Sequence, residues 1–192
     1  MSIDYYDRNG GRFFADSAYA DLARTHARFL AHVRDGGAIL EAGCGSGRDA
    51  LAFSKAGYAV TAFDGSAKMV ELAREHCGLP VMHMRFNEVA WHDAFDGIWS
   101  CASLLHVARD ELPGVMMRLA NALKHGGAWF MSFKHGTTDR HANERYFTDM
   151  DESLVVNAIR GTGLDPADVW ISSDARPGRE GERWTNAIAR KI

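Results

Sequence analysis

Eleven residues constrain this chain more than any others: Ile39-Leu40-Glu41-Ala42-Gly43-Cys44-Gly45-Ser46-Gly47-Arg48-Asp49. An apolar run with one carboxylate enters a loop that has glycine at every second position. Asp49 to Ala56 then has the composition and apolar spacing of a helix. A strand, a tight turn and a helix start follow from that order, and such a turn lets a ligand approach backbone N–H groups without meeting a Cβ. The stretch reads as a nucleotide-type binding loop. The dinucleotide pattern G-x-G-x-x-G fails, because its third glycine would fall at Arg48, and the phosphate loop fails because no Lys-Ser or Lys-Thr pair follows.

What remains is an acidic residue two before the first of three alternating glycines. In this the segment 39–58 resembles class I S-adenosylmethionine-dependent methyltransferases. The resemblance gives Glu41 a purpose: a carboxylate at the strand end favours a ligand with a sulfonium and an ammonium and would oppose a pyrophosphate. Further along, Ala59 to Phe63 is a second strand ending at Asp64, 21 residues after Gly43, where a carboxylate would accept from ribose hydroxyls. Asp64 could equally cap the helix that follows, although Ser66 is the better cap. Pro80 to Phe86 is a short third strand, followed by the turn Phe86-Asn87-Glu88. Many family members have an aspartate there, and this chain offers Asn87 and Glu88 instead. Phe95 to Ser100 resembles the family's fourth strand, Asp110 to Lys124 is a helix, and Ala128 to Lys134 is the fifth strand. Residues 135–148 form a long polar connection, suited to a substrate site. A helix over Asp149 to Gly161 and two strands, Val169 to Ser172 and Trp184 to Arg190, complete the pattern.

The expected fold is therefore α/β, a three-layer sandwich around a seven-stranded, mostly parallel, Rossmann-like sheet with the last strand antiparallel. The expected organisation is a single methyltransferase domain over residues 17–192, preceded by an N-terminal arm, residues 1–16, that is either flexible or ordered by cofactor. Ser17 to Val33 reads as one amphipathic helix. The resemblance implies S-adenosylmethionine as cofactor and S-adenosylhomocysteine as product, held by Glu41, Gly43, Cys44, Gly45 and Arg48 of the loop, by Asp64, Gly65 and Met69, by Phe86, Asn87 and Glu88, and by Cys101 and Leu105 after the fourth strand. From the arm, Tyr6 offers an aromatic face to the sulfonium and Arg12 a guanidinium to the methionine carboxylate. His106 and His135 are the candidate bases, needed only where the acceptor carries a proton.

Composition narrows the function. With 46% hydrophobic residues in 192, the chain can bury one full core. A net charge of −3 supplies no general field for nucleic acid or anionic membrane. Three scattered cysteines without a C-x-x-C pair point to reduced thiols in a cytoplasmic protein, with no structural metal. No run of 18 apolar residues and no signal-type leader is visible. The expected partner is a small-molecule acceptor (thiol, metalloid oxyanion, acid or amine), with neither nucleic acid nor membrane, and the protein is a monomer or homodimer. Gly47-Arg48-Asp49 is similar to the small bacterial members that include tellurite-resistance-type methyltransferases. Arg145-Tyr146-Phe147 is similar to tRNA wobble-uridine methyltransferases. A non-catalytic module that keeps the cofactor pocket is the rival from another class.

Overall fold

The computed structural model describes residues 2–192. Seven strands form one sheet in the order β3-β2-β1-β4-β5-β9-β8, where β1 is Ala38–Ala42, β2 Ala59–Asp64, β3 Val81–His83, β4 Phe95–Ser100, β5 Leu123–Lys134, β8 Asp165–Ser173 and β9 Arg183–Arg190. The pairs β1–β2, β1–β4, β2–β3 and β4–β5 are parallel, while β9 runs antiparallel to both β5 and β8. The central strands are covered on both faces, so they read as nearly unbroken apolar runs rather than alternating ones. Alternation still sorts their side chains. Ile39, Trp99 and Phe130 pack with Phe29 and Phe53 of helices α2 (Ala23–Leu30) and α3 (Arg48–Lys55). Leu40, Ile98, Trp129 and Met131 face the other way, against α5 (Leu112–Ala122) and α6 (Glu152–Gly161). Helix α4 (Ala67–Cys77) joins α3 on the first face. This is the expected three-layer sandwich.

The chain leaves β1 towards β2 on one side and returns to β4 on the other, so a crevice opens where β1 and β4 diverge, at the carboxyl ends of the strands. Two elements close over it, and both differ from the sequence reading. Residues expected to form an arm without regular structure are a helix, α1 (Ser2–Ser17). Gly10 and Gly11 weaken any intrinsic helix signal there. The helix is held by docking: Asp7 accepts from Ser66 Oγ at 2.6 Å and from Lys68 N at 3.3 Å, at the positive end of α4. A Cβ on Gly10 would lie 2.8 Å from Lys68 Cγ, so glycine sets how closely the two helices approach. Residues 18–22 are not helical, and α2 is correspondingly shorter than the single helix expected over Ser17 to Val33.

The second element is a hairpin, β6 (Asp139–Ala142) and β7 (Arg145–Thr148), within the expected irregular connection. Its two-residue turn, Asn143-Glu144, has φ of 48° and 60°, the conformation of a type I′ turn. Thr148 Oγ1 donates to Val107 O at 2.8 Å, and Arg109 bridges Asp139 and the Asp149 carbonyl, which fixes the hairpin beside the loop after β4.

Candidate active site

Beneath α1 and the hairpin lies a cavity of about 1340 Å³, reaching from the glycine loop to the turn between β8 and β9. The loop shapes its floor. Gly43, at φ 79°, lies so close to Ser103 that a Cβ would sit 2.6 Å from the serine Cβ, and Ser103 Oγ donates to Ala42 O at 2.7 Å. Asp64 locks the loop from the side: Oδ2 accepts from Gly45 N and Oδ1 from Ser66 N, both at 2.9 Å. Burial raises its carboxyl above the ordinary range, and these two N–H donors oppose the rise. Ser66 does cap α4, accepting from Met69 N at 3.2 Å, so Asp64 is free of that duty and retains lone pairs toward the cavity.

Glu41 is the unusual group. It is 2% exposed, lines the cavity, and its Oε2 has no hydrogen-bond partner. Burial, with the Asp49 charge behind it, pushes its carboxyl well above the usual carboxylate range. Its neighbour Asp49 has the opposite fate. Both Asp49 oxygens are taken by Arg48 (2.7 and 2.8 Å), His26 Nε2 (2.9 Å) and Trp99 Nε1 (2.8 Å). Burial alone would raise Asp49, but the Arg48 guanidinium holds it below the usual range. Sequence reasoning singled out Arg48 and passed over Asp49, which ties α2, α3 and β4 together behind the loop.

Near the hairpin, His106 Nδ1 lies 2.8 Å from Tyr146 O, and a carbonyl only accepts, so Nδ1 carries the proton. Nε2 is then the acceptor, and Tyr6 O–H donates to it at 2.8 Å. Burial, reinforced by the Arg145 charge and opposed by the Tyr146 carbonyl, pulls the imidazolium down to about 4. His106 is therefore neutral with both nitrogens engaged. His135 lines a different part of the cavity, with Nδ1 3.0 Å from Thr185 Oγ1.

The structure thus brings fifteen of the expected residues to one cavity: Tyr6, Glu41, Gly43, Cys44, Gly45, Arg48, Asp64, Gly65, Met69, Phe86, Asn87, Cys101, Leu105, His106 and His135. Two it leaves out. Residues 6, 10, 13 and 17 recur along the inner face of α1, and Arg12 falls off that face into solvent. Glu88 turns back on its own 3₁₀ turn, where Oε2 accepts from Arg85 N at 2.7 Å. The sequence reading missed Ser103, visible only as the partner of a glycine, and Ala102, which lines the cavity with φ 51° while its N–H donates to Ser132 Oγ. Cys101 and Cys44 are thiols that burial raises, Cys101 to about 12, so neither is a ready nucleophile. Among the described residues, no three His, Cys, Asp or Glu side chains are grouped to hold a metal ion, and no helix is long and apolar enough to cross a membrane.

Residues 39–127 match the family model described as "Methyltransferase domain", the span from β1 into β5 that builds this floor. That span, a little under half of the chain, is thus similar to a methyltransferase domain. A malonyl-[acyl-carrier protein] O-methyltransferase from Erwinia pyrifoliae is 34% identical over 118 residues, which are 57% of this chain and 43% of that protein. The chain thus spans less than half the length of that relative. Among solved structures, Burkholderia thailandensis 1,6-didemethyltoxoflavin-N1-methyltransferase, with bound 1,6-didemethyltoxoflavin and S-adenosylhomocysteine, superimposes with a TM-score of 0.80 at 21% identity, over 100% of this chain and 86% of that one. The [4+2]-cyclase SpnF superimposes with a TM-score of 0.74 at 18% identity, over 98% and 94%. Fold alone therefore spans more than one chemistry.

Proposed function

We propose that the protein is a methyltransferase that uses S-adenosylmethionine, releases S-adenosylhomocysteine and methylates a small-molecule acceptor. The observation that carries this reading is Glu41, a carboxylate buried at the glycine loop with one oxygen unpartnered. An unpaired buried carboxylate costs stability unless a ligand supplies its partner. A ligand with an ammonium and a sulfonium does so, whereas a pyrophosphate would be repelled. The cradle agrees, since Gly43 leaves no room for a side chain.

When bound, the cofactor supplies an activated methyl on a positively charged sulfur. The protein has to orient, enclose and exclude water. Glu41 and Asp64 fix the two ends of the ligand's polar body, with Gly65, Met69, Phe86 and Asn87 between them around the base. Helix α1 covers the loop through Phe13 and Tyr6, so the N-terminal segment serves as the roof of the site. His106, neutral and engaged with Tyr6, orients that phenol rather than drawing protons from water. Arg48 and Asp49 are pinned to each other and to His26 and Trp99, so the Gly47-Arg48-Asp49 run that resembles the tellurite-resistance-type subgroup is a packing device here and bears on no acceptor. The Burkholderia relative, named for a small heterocycle, supports a small acceptor, and the Erwinia relative, named for a malonyl group on an acyl-carrier protein, supports an acceptor other than nucleic acid.

Calorimetry on the purified chain tests the reading. S-adenosylhomocysteine should bind in the micromolar range, and NAD should not bind. Folded protein that ignores S-adenosylhomocysteine at high micromolar concentration would overturn it.

A further inference from the structure

Several arginines face the cavity, and most are already engaged. Arg48, Arg140 and Arg176 are held by Asp49, Asp149 and Asp174, with closest N–O distances of 2.6 to 2.7 Å. Arg145 is different. It stands on β7 where the hairpin meets α1, its guanidinium 4.6 Å from the Tyr5 ring centroid and 5.1 Å from that of Phe147. Its polar contact is Nη1 to Tyr6 Oη at 3.4 Å, its Nε is buried without a partner, and no carboxylate of the described residues lies within ion-pair distance. The rings strip water from the cation without neutralising it. A guanidinium so placed presents a planar fork of donors to an oxyanion of matching shape, of which a carboxylate is the smallest.

The proton inventory of this corner points the same way. Tyr6 O–H is committed to His106 Nε2, His106 Nδ1–H to Tyr146 O, and the half-buried thiol Cys101 of the same cavity lies beside Ser132 and Arg48. Neither Tyr6 nor His106 is a free base beside Arg145, and the nearest other imidazole among the described residues, His141, lies on the paired strand against Tyr146. An amine or alcohol acceptor would need one, and a carboxylate needs none.

From the unpartnered Arg145 beside Tyr6, we infer that the acceptor is a small carboxylic acid, whose carboxylate docks on Arg145 and takes the methyl on oxygen to leave as a methyl ester. The inference rests on the methyl-transfer reading above. A lone pair of the carboxylate oxygen forms the O–CH₃ bond while the S–CH₃ bond breaks, its electron pair staying on sulfur. The negative and positive charges cancel, and no proton moves. Tyr6, which donates to His106 and accepts from Arg145, sets the guanidinium's pose and is a positioning residue.

The experiment incubates the full chain with S-adenosylmethionine carrying a deuterated methyl and a panel of short mono- and dicarboxylic acids, free and as thioesters, alongside thiols, amines and metalloid oxyanions. Mass spectrometry reads the products, and alkaline lability identifies an ester. Arg145→Gln should raise KM for the acid about 10- to 100-fold, as expected for loss of a charged hydrogen-bond partner. Its affinity for S-adenosylhomocysteine should stay close to wild type, and Arg145→Lys should recover part of the loss. Should Arg145→Gln fail to fold, Arg145→Lys against wild type decides, because lysine keeps the charge and loses the fork. Three results overturn the inference: products methylated only on sulfur, nitrogen or a metalloid; no ester from any acid by protein that binds S-adenosylhomocysteine; or an Arg145 variant whose main loss is cofactor affinity, which would assign Arg145 to the cofactor's own carboxylate. Wild-type protein that binds no S-adenosylhomocysteine would instead overturn the underlying methyl-transfer reading.

Discussion

The two ends of the central strands treat buried charge in opposite ways. At the amino ends, Asp96 accepts from Ala38 N at 2.8 Å, from Arg34 Nε at 2.8 Å and from Lys124 Nζ at 3.0 Å. Burial alone would raise its carboxyl, but those donors and cations hold it well below the usual range. At the carboxyl ends, Glu41 Oε2 and Arg145 Nε are buried with no partner. At the amino end the buried carboxylate is fully used by the fold, although Arg190 Nε there is also buried without a partner, and the other end leaves an anion and a cation under-bonded on the wall of one cavity. Polar groups left short of partners are expected where a ligand completes them. The division is finer than one end against the other, because Asp49, a short way beyond Glu41 in the chain, is fully subscribed.

That contrast between Asp49 and Glu41 can be broken by substitution. Asp49→Ala should cost the most, about 3–5 kcal/mol of unfolding free energy, because it strands the Arg48 guanidinium and the His26 and Trp99 donors in the interior. Urea denaturation measures it. Asp49→Ala protein as stable as wild type would mean that the node is not what joins α2, α3 and β4. Asp64→Ala comes next, with cofactor affinity falling by about 1.5–3 kcal/mol. Because Asp64 also holds Gly45 N and Ser66 N, this variant should in addition lose about 1 kcal/mol of stability. Calorimetry with S-adenosylhomocysteine and thermal melts separate the two losses, and unchanged affinity would leave Asp64 with a purely structural task.

How much of this was legible in the sequence follows from which residues act alone and which act through partners. The glycine loop, β1 to β5 and the carboxylates Glu41 and Asp64 could be read because spacing along the chain is enough to place them at one sheet edge. Helix α1 could not. Its polar, glycine-bearing sequence gives a weak helical period, and its order comes from Asp7 on α4 and from the flat side of Gly10. Arg12 was chosen by chemistry alone, and only the phase of that helix shows that it points away. The hairpin hid because Asn143-Glu144 lacks the glycine that usually marks a type I′ turn, and Glu144 takes positive φ without it. Arg145 was visible only within a resemblance. Its isolation from the carboxylates of the described residues is a property of the folded site.

Glu41→Gln should have the smallest effect, and its sign is the most informative. In the folded protein, burial raises the Glu41 carboxyl above its unfolded value. A raised acid binds its proton more tightly when folded, so the fold is penalised at pH above the ordinary carboxylate range, near 4.3, and relieved below it. Glutamine never ionises. The ligand-free variant should therefore be more stable than wild type at neutral pH, by on the order of 1 kcal/mol, the usual cost of an unpaired buried polar group. For a chain of this size that is a rise of about 2–4 °C in Tm. The two melting curves should converge as pH falls through the carboxylate range, while affinity for S-adenosylhomocysteine should be weaker in the variant at neutral pH. A stability gain paired with a binding loss is what an anion held ready for a cationic ligand requires. Wild type more stable than Glu41→Gln at neutral pH would show that Glu41 is already satisfied in the empty protein, and the contrast with Asp49 would fail at that residue.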